Sequence, residues 1–186
     1  MRVITGTARG TRLRTLEGDH TRPTVERVKE AVFSAIQFEI NGRTALDLFA
    51  GSGQMGIEAI SRGAVYCDFV DNTPSAVAIV QENVDKCRFG EQSGIHQKGY
   101  DTFLKQTDTK YSLVFIDPPY QKGLALKALN HLHELDRLAR HAIVICETAP
   151  DEVLPDTVGP LALSRSTKYG NTRVHLYRTA VSEESL

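Results

Sequence analysis

Asp117-Pro118-Pro119-Tyr120 follows directly on the apolar run Leu113-Val114-Phe115-Ile116. An apolar, β-branched run ending in two prolines describes a buried strand that stops abruptly. Proline has no N–H for a sheet ladder, and it pushes the preceding residue away from the helical region. Such a strand delivers Asp117 and Tyr120 to the rim of a sheet on a stiff, non-helical turn, and open α/β sheets bind their ligands at that rim. An acceptor, exposed carbonyls and an aromatic face, held rigidly together, suit the grip of a planar base by its exocyclic amino group. The competing reading is a plain strand-terminating turn, and the rest of the chain has to decide between them.

Upstream, Thr44-Ala45-Leu46-Asp47-Leu48-Phe49-Ala50-Gly51-Ser52-Gly53-Gln54-Met55-Gly56 passes from a short apolar run through a glycine-rich turn into the helix-like Ile57-Glu58-Ala59-Ile60. Gly51 and Gly53 let the backbone approach a ligand closely and take positive φ. Gly51-x-Gly53-x-x-Gly56 matches the dinucleotide fingerprint, and Asp71 follows at about the twenty-residue spacing of a ribose-binding acid. A nicotinamide-dinucleotide module is therefore a competitor. Two details count against it. Asp47 stands where a pyrophosphate would bind; its carboxylate would repel a diphosphate and attract a cationic ligand, such as the ammonium and sulfonium of S-adenosylmethionine. A hydride-transfer enzyme also has no use for a turn that grips amino groups. Asp71, closing Val65-Tyr66-Cys67-Asp68-Phe69-Val70, can accept both ribose hydroxyls. Its alternative role is to cap a helix beginning near Pro74, which Asn72 or Thr73 could equally do.

These groups must be positioned by 186 residues, enough for one domain with a substantial core. The expected organisation is an N-terminal extension over residues 1–40, a catalytic core over 41–180 and a frayed acidic tail over 181–186. Composition is that of a globular protein, 41% hydrophobic and 24% charged. No apolar run approaches the roughly 20 residues of a membrane span, and Met1 to Thr15 lacks the apolar stretch of a secretory signal. Cys67, Cys87 and Cys146 are odd in number and widely spaced, and no metal-ligand spacing occurs among the six histidines. A reduced, cytoplasmic protein without a metal is expected. No exposed heptad argues for a dimer, so a monomer is expected as well. The net charge of −1 hides an uneven distribution. In residues 1–22, five arginines against Glu17 and Asp19 leave +3, enough to hold a phosphate backbone locally or to protect a hairpin edge.

Arg2-Val3-Ile4-Thr5 and Arg12-Leu13-Arg14-Thr15 flank the turn Thr7-Ala8-Arg9-Gly10 and read as a small hairpin. Val25, Val28, Ala31, Val32, Ala35 and Ile36 recur at helical spacing behind Thr24, a plausible cap. From Thr44 onward the spacing predicts strands over 44–48, 65–70, 94–98, 112–116 and 142–146. Helices are expected to begin near Met55, Pro74, Asp101 and Leu124. That alternation predicts an α/β fold with a mostly parallel sheet covered on both faces. Leu161 to Thr167 and Arg173 to Tyr177, joined through Tyr169-Gly170-Asn171-Thr172, read as a C-terminal antiparallel hairpin.

The segment Asp47 to Gly56, Phe69-Val70-Asp71 and Asp117-Pro118-Pro119-Tyr120 together resemble class I S-adenosylmethionine-dependent methyltransferases acting on exocyclic amines. Thr21-Arg22-Pro23-Thr24-Val25-Glu26-Arg27-Val28-Lys29-Glu30-Ala31-Val32-Phe33, Arg9-Gly10-Thr11-Arg12-Leu13 and Tyr169-Gly170-Asn171-Thr172-Arg173 narrow the likeness. Over Arg2 to Tyr177 the chain resembles the bacterial 16S ribosomal RNA guanine-N2 methyltransferase (RsmD-type) family. The resemblance implies a Rossmann-like seven-stranded methyltransferase sheet preceded by a small hairpin and helix. It also implies methyl transfer to one guanine of small-subunit rRNA. Asp47, Gly51 and Gly53 would contact the methionine end of S-adenosyl-L-methionine, and Phe49, Ala50 and Ser52 of the same loop would also bind the cofactor. Asp71, beside Asn72, would hold the ribose, and Asp117, Pro118, Pro119 and Tyr120 would be catalytic. In Gly99-Tyr100-Asp101-Thr102, either Asp101 touches the adenine, or it caps the next helix and Tyr100 packs on the ring.

The N2 amine of guanine is a poor nucleophile because its lone pair is delocalised. Acceptors such as Asp117 and the Pro118 carbonyl on its hydrogens would favour pyramidalisation and offset developing charge. Tyr120 would stack on the base, which must be flipped out to reach the site. An acceptor-only Asp117 suits the adjacent N1–H and N2–H of guanine better than the N1 acceptor of adenine. RNA contacts are expected from Arg9, Arg12 and Arg22, and from Lys168 and Asn171 on the late hairpin. The partner would be 16S rRNA or the small ribosomal subunit, with no membrane. Rival readings are an adenine-N6 methyltransferase on DNA or RNA, a protein glutamine methyltransferase, and a non-catalytic nucleotide- or RNA-binding module.

Overall fold

The elements run α1 (Pro23–Ala35), β1 (Thr44–Asp47), α2 (Gln54–Ser61), β2 (Tyr66–Asp71), α3 (Pro74–Cys87), β3 (Ser93–Gln97), α4 (Tyr100–Gln106), β4 (Tyr111–Ile116), α5 (Leu124–Glu134), β5 (Leu138–Thr148), β6 (Thr157–Val158), β7 (Leu161–Tyr169) and β8 (Thr172–Thr179). This is the arrangement in a computed structural model that describes residues 1–16, 23–119 and 123–179; the side chains of Pro23 and Thr24 are also outside the description. Arg22, Tyr120, the tail 181–186 and the capping role of Thr24 therefore lie outside the described residues.

The strands form one sheet in the order β3-β2-β1-β4-β5-β8-β7-β6. β3, β2, β1, β4 and β5 are mutually parallel, while β8, β7 and β6 continue antiparallel. The expected alternation and terminal hairpin are both present. The resemblance implied seven strands; the two-residue β6 makes eight. Gly159 turns the chain at φ +53, and this lets Thr157–Val158 pair with Leu161–Ala162.

Each face of the sheet carries its own core. α1, α2 and α3 cover one face, where Ala45, Cys67, Phe69, Leu113, Phe115, Ile143 and Ile145 point inward with Val32, Phe33, Ile57 and Val84. α4 and α5 cover the other, against Leu46, Val70, Val114, Val144 and Cys146. Period-2 alternation along the strands divides these two sets. The central strands are buried on both sides, as parallel strands between helical layers must be.

The N-terminal segment forms a short antiparallel hairpin, in which Val3 N donates to the Thr11 carbonyl at 3.0 Å and Gly10 N to the Val3 carbonyl at 2.9 Å. One antiparallel bridge, Arg2 to Arg12, is formed. Beyond Val3 the first arm turns onto α2, where the N–H groups of Ile4 and Thr5 donate to the buried Glu58 carboxylate, at 2.8 and 3.0 Å. Gly6, at φ +90, lies so close to α2 that a Cβ there would overlap the Ser61 carbonyl. No helix among the described residues is long and apolar enough to cross a membrane.

Candidate active site

Four neighbouring parallel strands end in acids on the same face. Ala45 precedes Asp47 by two positions, Phe69 precedes Asp71, Phe115 precedes Asp117, and Ile145 precedes Glu147. Each apolar residue belongs to the core beneath α1–α3, so side-chain alternation sets the four carboxyls above that core at the C-terminal edge of the sheet. This is the edge at which open α/β sheets bind ligands. Asp47, Asp71 and Asp117 are three of the residues singled out from the sequence. Glu147 was missed, because Ile145-Cys146-Glu147-Thr148 carries no motif and only strand register reveals its neighbours.

Asp47 is 3% exposed and its Oδ2 accepts the Gly56 N–H at 3.0 Å. Burial pushes its carboxyl up to about 8, opposed by the Gly56 bond and reinforced by Asp117 and Asp71. Gly56 is the third residue of α2, so its N–H is one of the helix's orphan donors. That donor is where a dinucleotide's pyrophosphate would dock, and Asp47 already holds it. The loop has the glycine spacing of a dinucleotide site, but the helix donor that a phosphate would use is already engaged.

The three glycines do different work. Gly51 and Gly53 take φ of +55 and +76. A Cβ on Gly51 would meet nothing within 4 Å, so this turn borders open space above the sheet. A Cβ on Gly56 would lie 2.3 Å from Phe69 Cε1 and 2.7 Å from Cys67 Sγ, so the missing side chain lets α2 pack closely on β2. Ala50 and Ser52 are buried, and Asn83 of α3 donates to the Ser52 carbonyl at 2.9 Å. The same buried Asn83 accepts the Arg14 N–H at 2.8 Å and donates to the Arg14 carbonyl at 2.9 Å, tying the N-terminal segment to the glycine loop.

Asp71 uses one oxygen on the Gly51 N–H, at 3.0 Å, and the other on the Thr73 N–H, at 2.8 Å. Neither bond caps α3; Thr73 sits at its N-cap without a side-chain bond, and Pro74 follows. Asn72 is exposed, and its Oδ1 accepts the Thr73 hydroxyl. Asp71 thereby clamps the glycine turn to the end of β2 and keeps one lone pair per oxygen for hydroxyl donors. On the opposite side Phe49 and Tyr100 meet at 5.3 Å between ring centroids, and His131 of α5 stacks behind Tyr100 at 5.7 Å. Burial, then Asp101, raises the Tyr100 phenol. Asp101 lies in the first turn of α4, its Oδ1 folded back toward Gly99. Phe49 and Tyr100 are thus packed ring against ring, and Asp101 stands where its charge complements a helix start.

Asp117 is exposed, one position beyond Ile116, with Pro118 half-buried and Pro119 exposed after it. Glu147 is half-buried on β5, and its carboxyl is pushed well above the usual range by burial, then by Asp117 and Asp47, against the Thr172 hydroxyl. Among the described residues no basic side chain stands against the upward shift of either Asp47 or Glu147. Four carboxyls gathered at one sheet edge beside an open glycine turn would disfavour a diphosphate and suit a ligand that brings positive charge.

Of the expected RNA-contacting residues, Lys168 and Asn171 are exposed at the tip of the β7–β8 hairpin. Lys168 pairs with Arg173, which pairs with Thr148, so the tip stands at the same edge as Glu147. Arg9 and Arg12 are both exposed. The Arg9 turn rests on Ser61, where Thr7 N and Ala8 N donate to the Ser61 carbonyl and hydroxyl, at the end of α2 remote from the glycine loop.

A model of the family described as Conserved hypothetical protein 95 matches residues 1–178. The chain is 35% identical to YlbH of Bacillus subtilis over 181 residues, covering 96% of this chain and 98% of that one. It is 30% identical to Ribosomal RNA small subunit methyltransferase D of Escherichia coli K12 over 185 residues, covering 100% of this chain and 93% of the relative. The solved structure of Escherichia coli yhhF superposes with a TM-score of 0.85 at 28% identity, over 98% of this chain and 99% of that one.

Proposed function

This chain belongs to the family described as Conserved hypothetical protein 95, and on that premise we propose that it methylates the exocyclic N2 amine of a guanine in small-subunit (16S) ribosomal RNA. It is an S-adenosyl-L-methionine-dependent methyltransferase of the class I fold, similar over its whole length to a small-subunit rRNA methyltransferase. The observation that carries the guanine reading is Asp117, an acceptor-only group at the end of β4 on the same face as Asp47 and Asp71. The cofactor supplies an electrophilic methyl group on a sulfonium.

Asp47 and the Gly51–Gly53 turn would hold the methionine end, the buried carboxylate facing its positive charge. Asp71 would accept the ribose hydroxyls on the lone pairs left after Gly51 and Thr73. Phe49 and Tyr100 would flank the adenine. Asp117 and the Pro118 carbonyl would accept hydrogen bonds from the target amine, keeping its lone pair directed at the methyl donor and offsetting charge on nitrogen, and the proton released on methylation would pass to the Asp117 carboxylate. Tyr120 would stack on the flipped base. Guanine is favoured over adenine because its N1–H lies beside its amine, whereas adenine presents an acceptor there.

The test is to incubate the protein with radiolabelled cofactor and either free 16S rRNA or small subunits lacking the modification, then digest to nucleosides. The expected product is N2-methylguanosine. Label in N6-methyladenosine or in protein overturns the guanine reading. Asp117→Ala should abolish transfer while cofactor affinity stays within about twofold of the wild type; substantial residual turnover removes Asp117 from its role.

A further inference from the structure

Beyond β5 the sheet runs on into the β7–β8 hairpin, and α1 leaves a groove along one face of that hairpin. Ala31 and Ala35, one helical turn apart on α1, form one wall. The buried Ile145 and Val174 lie in the floor, and Arg165 and Tyr169 of β7 form the second wall. The groove has a volume of about 330 Å³, part of it open solvent. It leads to the candidate active site. Ile145 precedes Glu147 by two positions on the same side of β5, and Val174 is the partner of Glu147 on β8. Tyr169 pairs with Thr172, two positions beyond Val174 toward the C-terminal edge of β5. In the order β4-β5-β8-β7, Tyr169 stands three strands, about 14 Å, from the strand that ends at Asp117.

Residues 161–179 carry Arg165, Lys168, Arg173 and Arg178 and no acid, in a chain of net charge −1. Arg178 is held by Glu39 at 2.6 Å, and Arg173 donates to the Pro150 carbonyl at 3.1 Å. Arg165 is exposed, and its Nε donates to the Thr167 hydroxyl at 3.2 Å. Among the described residues no carboxylate pairs with it, so its guanidinium keeps donors for a further acceptor. Tyr169 is half-buried and packs against the core beneath α1, which fixes the ring at the groove wall. An aromatic ring on an apolar floor beside such a guanidinium suits one nucleotide of a single strand, base on ring and phosphate on cation. Four cations without an acid favour a polyanion over a protein surface of mixed charge. Flipping a target base out of its stack also leaves the neighbouring base in need of a stacking partner. We propose that the groove between α1 and β7 binds a nucleotide flanking the target base, with Tyr169 stacked on its base and Arg165 paired with its phosphate. The proposal rests on RNA being the substrate and extends that reading from the reacting base to its neighbour.

The chain contains no tryptophan, so Tyr169→Trp makes the groove wall the sole source of indole emission. Unmethylated 16S rRNA should quench that emission as a base stacks on the ring; unchanged emission in the RNA-bound variant overturns the proposal. In Tyr169→Leu, kcat/KM on the same RNA should fall about 5- to 100-fold, the range of one base–aromatic stack. Tyr169→Phe keeps the ring and should stay within about twofold of the wild type, with cofactor affinity unchanged in both variants. Arg165→Gln should reduce the salt slope of filter binding by about 0.7, one phosphate contact. Should Tyr169→Leu fail to fold, the Arg165→Gln slope decides, and a wild-type slope overturns the proposal. If Tyr169→Leu slowed methylation of assembled small subunits but not of free rRNA, the groove would hold a protein of the particle, and the proposal falls. A wild type that methylates 16S rRNA while these variants match it overturns the groove alone. A wild type that neither binds nor methylates RNA overturns the RNA reading and the groove with it.

Discussion

The Asp47 carboxylate receives the Gly56 N–H at 3.0 Å, so the last side chain of β1 closes the N-terminus of α2 from inside the protein. This explains how a glycine pattern shared with dinucleotide sites serves a cationic ligand: the helix donor that would face phosphate is already engaged. It also makes the site sensitive to pH. Burial holds the Asp47 carboxyl up to about 8, so between the ordinary carboxylate range and about pH 8 the folded chain binds more protons than the unfolded one.

Stability of the ligand-free protein should therefore fall as pH rises through that window, and Glu147, also raised, adds with the same sign. Cofactor affinity should move the opposite way, because positive charge binds best to ionised Asp47. Melting curves from about pH 5 to about pH 8 should show a decline that is shallower in Asp47→Asn. Calorimetric titration with the cofactor should show affinity rising over the same range in the wild type and flat in the variant. Wild-type affinity that did not change with pH would contradict the assignment of Asp47.

Gly51 and Gly56 should respond differently to alanine. At Gly56 the new methyl would lie 2.3 Å from Phe69 Cε1, in a core that cannot yield, and Gly56→Ala should cost about 1–3 kcal/mol in denaturant unfolding. At Gly51 a Cβ meets only open space, so the cost is the left-handed backbone, about 1–2 kcal/mol. The methyl would nevertheless enter the ligand's side of the turn. Cofactor affinity in Gly51→Ala should drop by about tenfold or more, a larger loss than its stability change implies.

Glu58 anchors the N-terminal segment. Fully buried, it accepts Ile4 N, Thr5 N and Arg62 Nε at 2.8, 3.0 and 2.8 Å, with Lys29 Nζ 3.3 Å away. Lys29 in turn donates to the Arg2 carbonyl at 2.8 Å, and desolvation lowers its pKa against the pull of Glu58. Glu58→Ala strands a buried cation and two N–H groups, and should cost about 3–5 kcal/mol. Lys29→Met leaves Glu58 with Arg62 and both N–H donors, so its cost should be smaller. Urea titrations of the two variants measure the difference, and equal losses would mean that the ion pair, not the backbone bonds, carries the anchor.

Local signals made most of this legible. Asp117-Pro118-Pro119 ends β4 where an apolar run meets two prolines, and Asp47 and Asp71 were visible as acids closing apolar runs. What escaped was set by pairing between distant strands. Glu147 becomes a neighbour of Asp117 only through the Ile116–Cys146 register, thirty positions apart in sequence. The anchoring of the N-terminal hairpin on α2 escaped for the same reason. Ile4 and Thr5 alternate like a strand, but their N–H groups are taken by Glu58, more than fifty residues away. His131 was passed over because a lone histidine on an amphipathic helix carries no signal until Tyr100 is seen stacked on it.

The two groups of basic residues offered for RNA binding are separated by the fold, and their contributions should separate too. Lys168 stands on the hairpin edge that pairs onward through Arg173 to Thr148, beside Glu147. Arg9 sits at the other end of α2, an eight-residue helix about 12 Å long. If the target base enters at Asp117, the neighbouring RNA would run by the hairpin tip. Lys168→Ala with Asn171→Ala should weaken binding and reduce the salt slope by about 0.7 for one lost phosphate contact. The Arg9→Ala, Arg12→Ala pair should change both by less. Filter binding across a potassium chloride series reads the two slopes, and a larger drop from the arginine pair would mean that the RNA wraps the Ser61 end of the protein and not the hairpin.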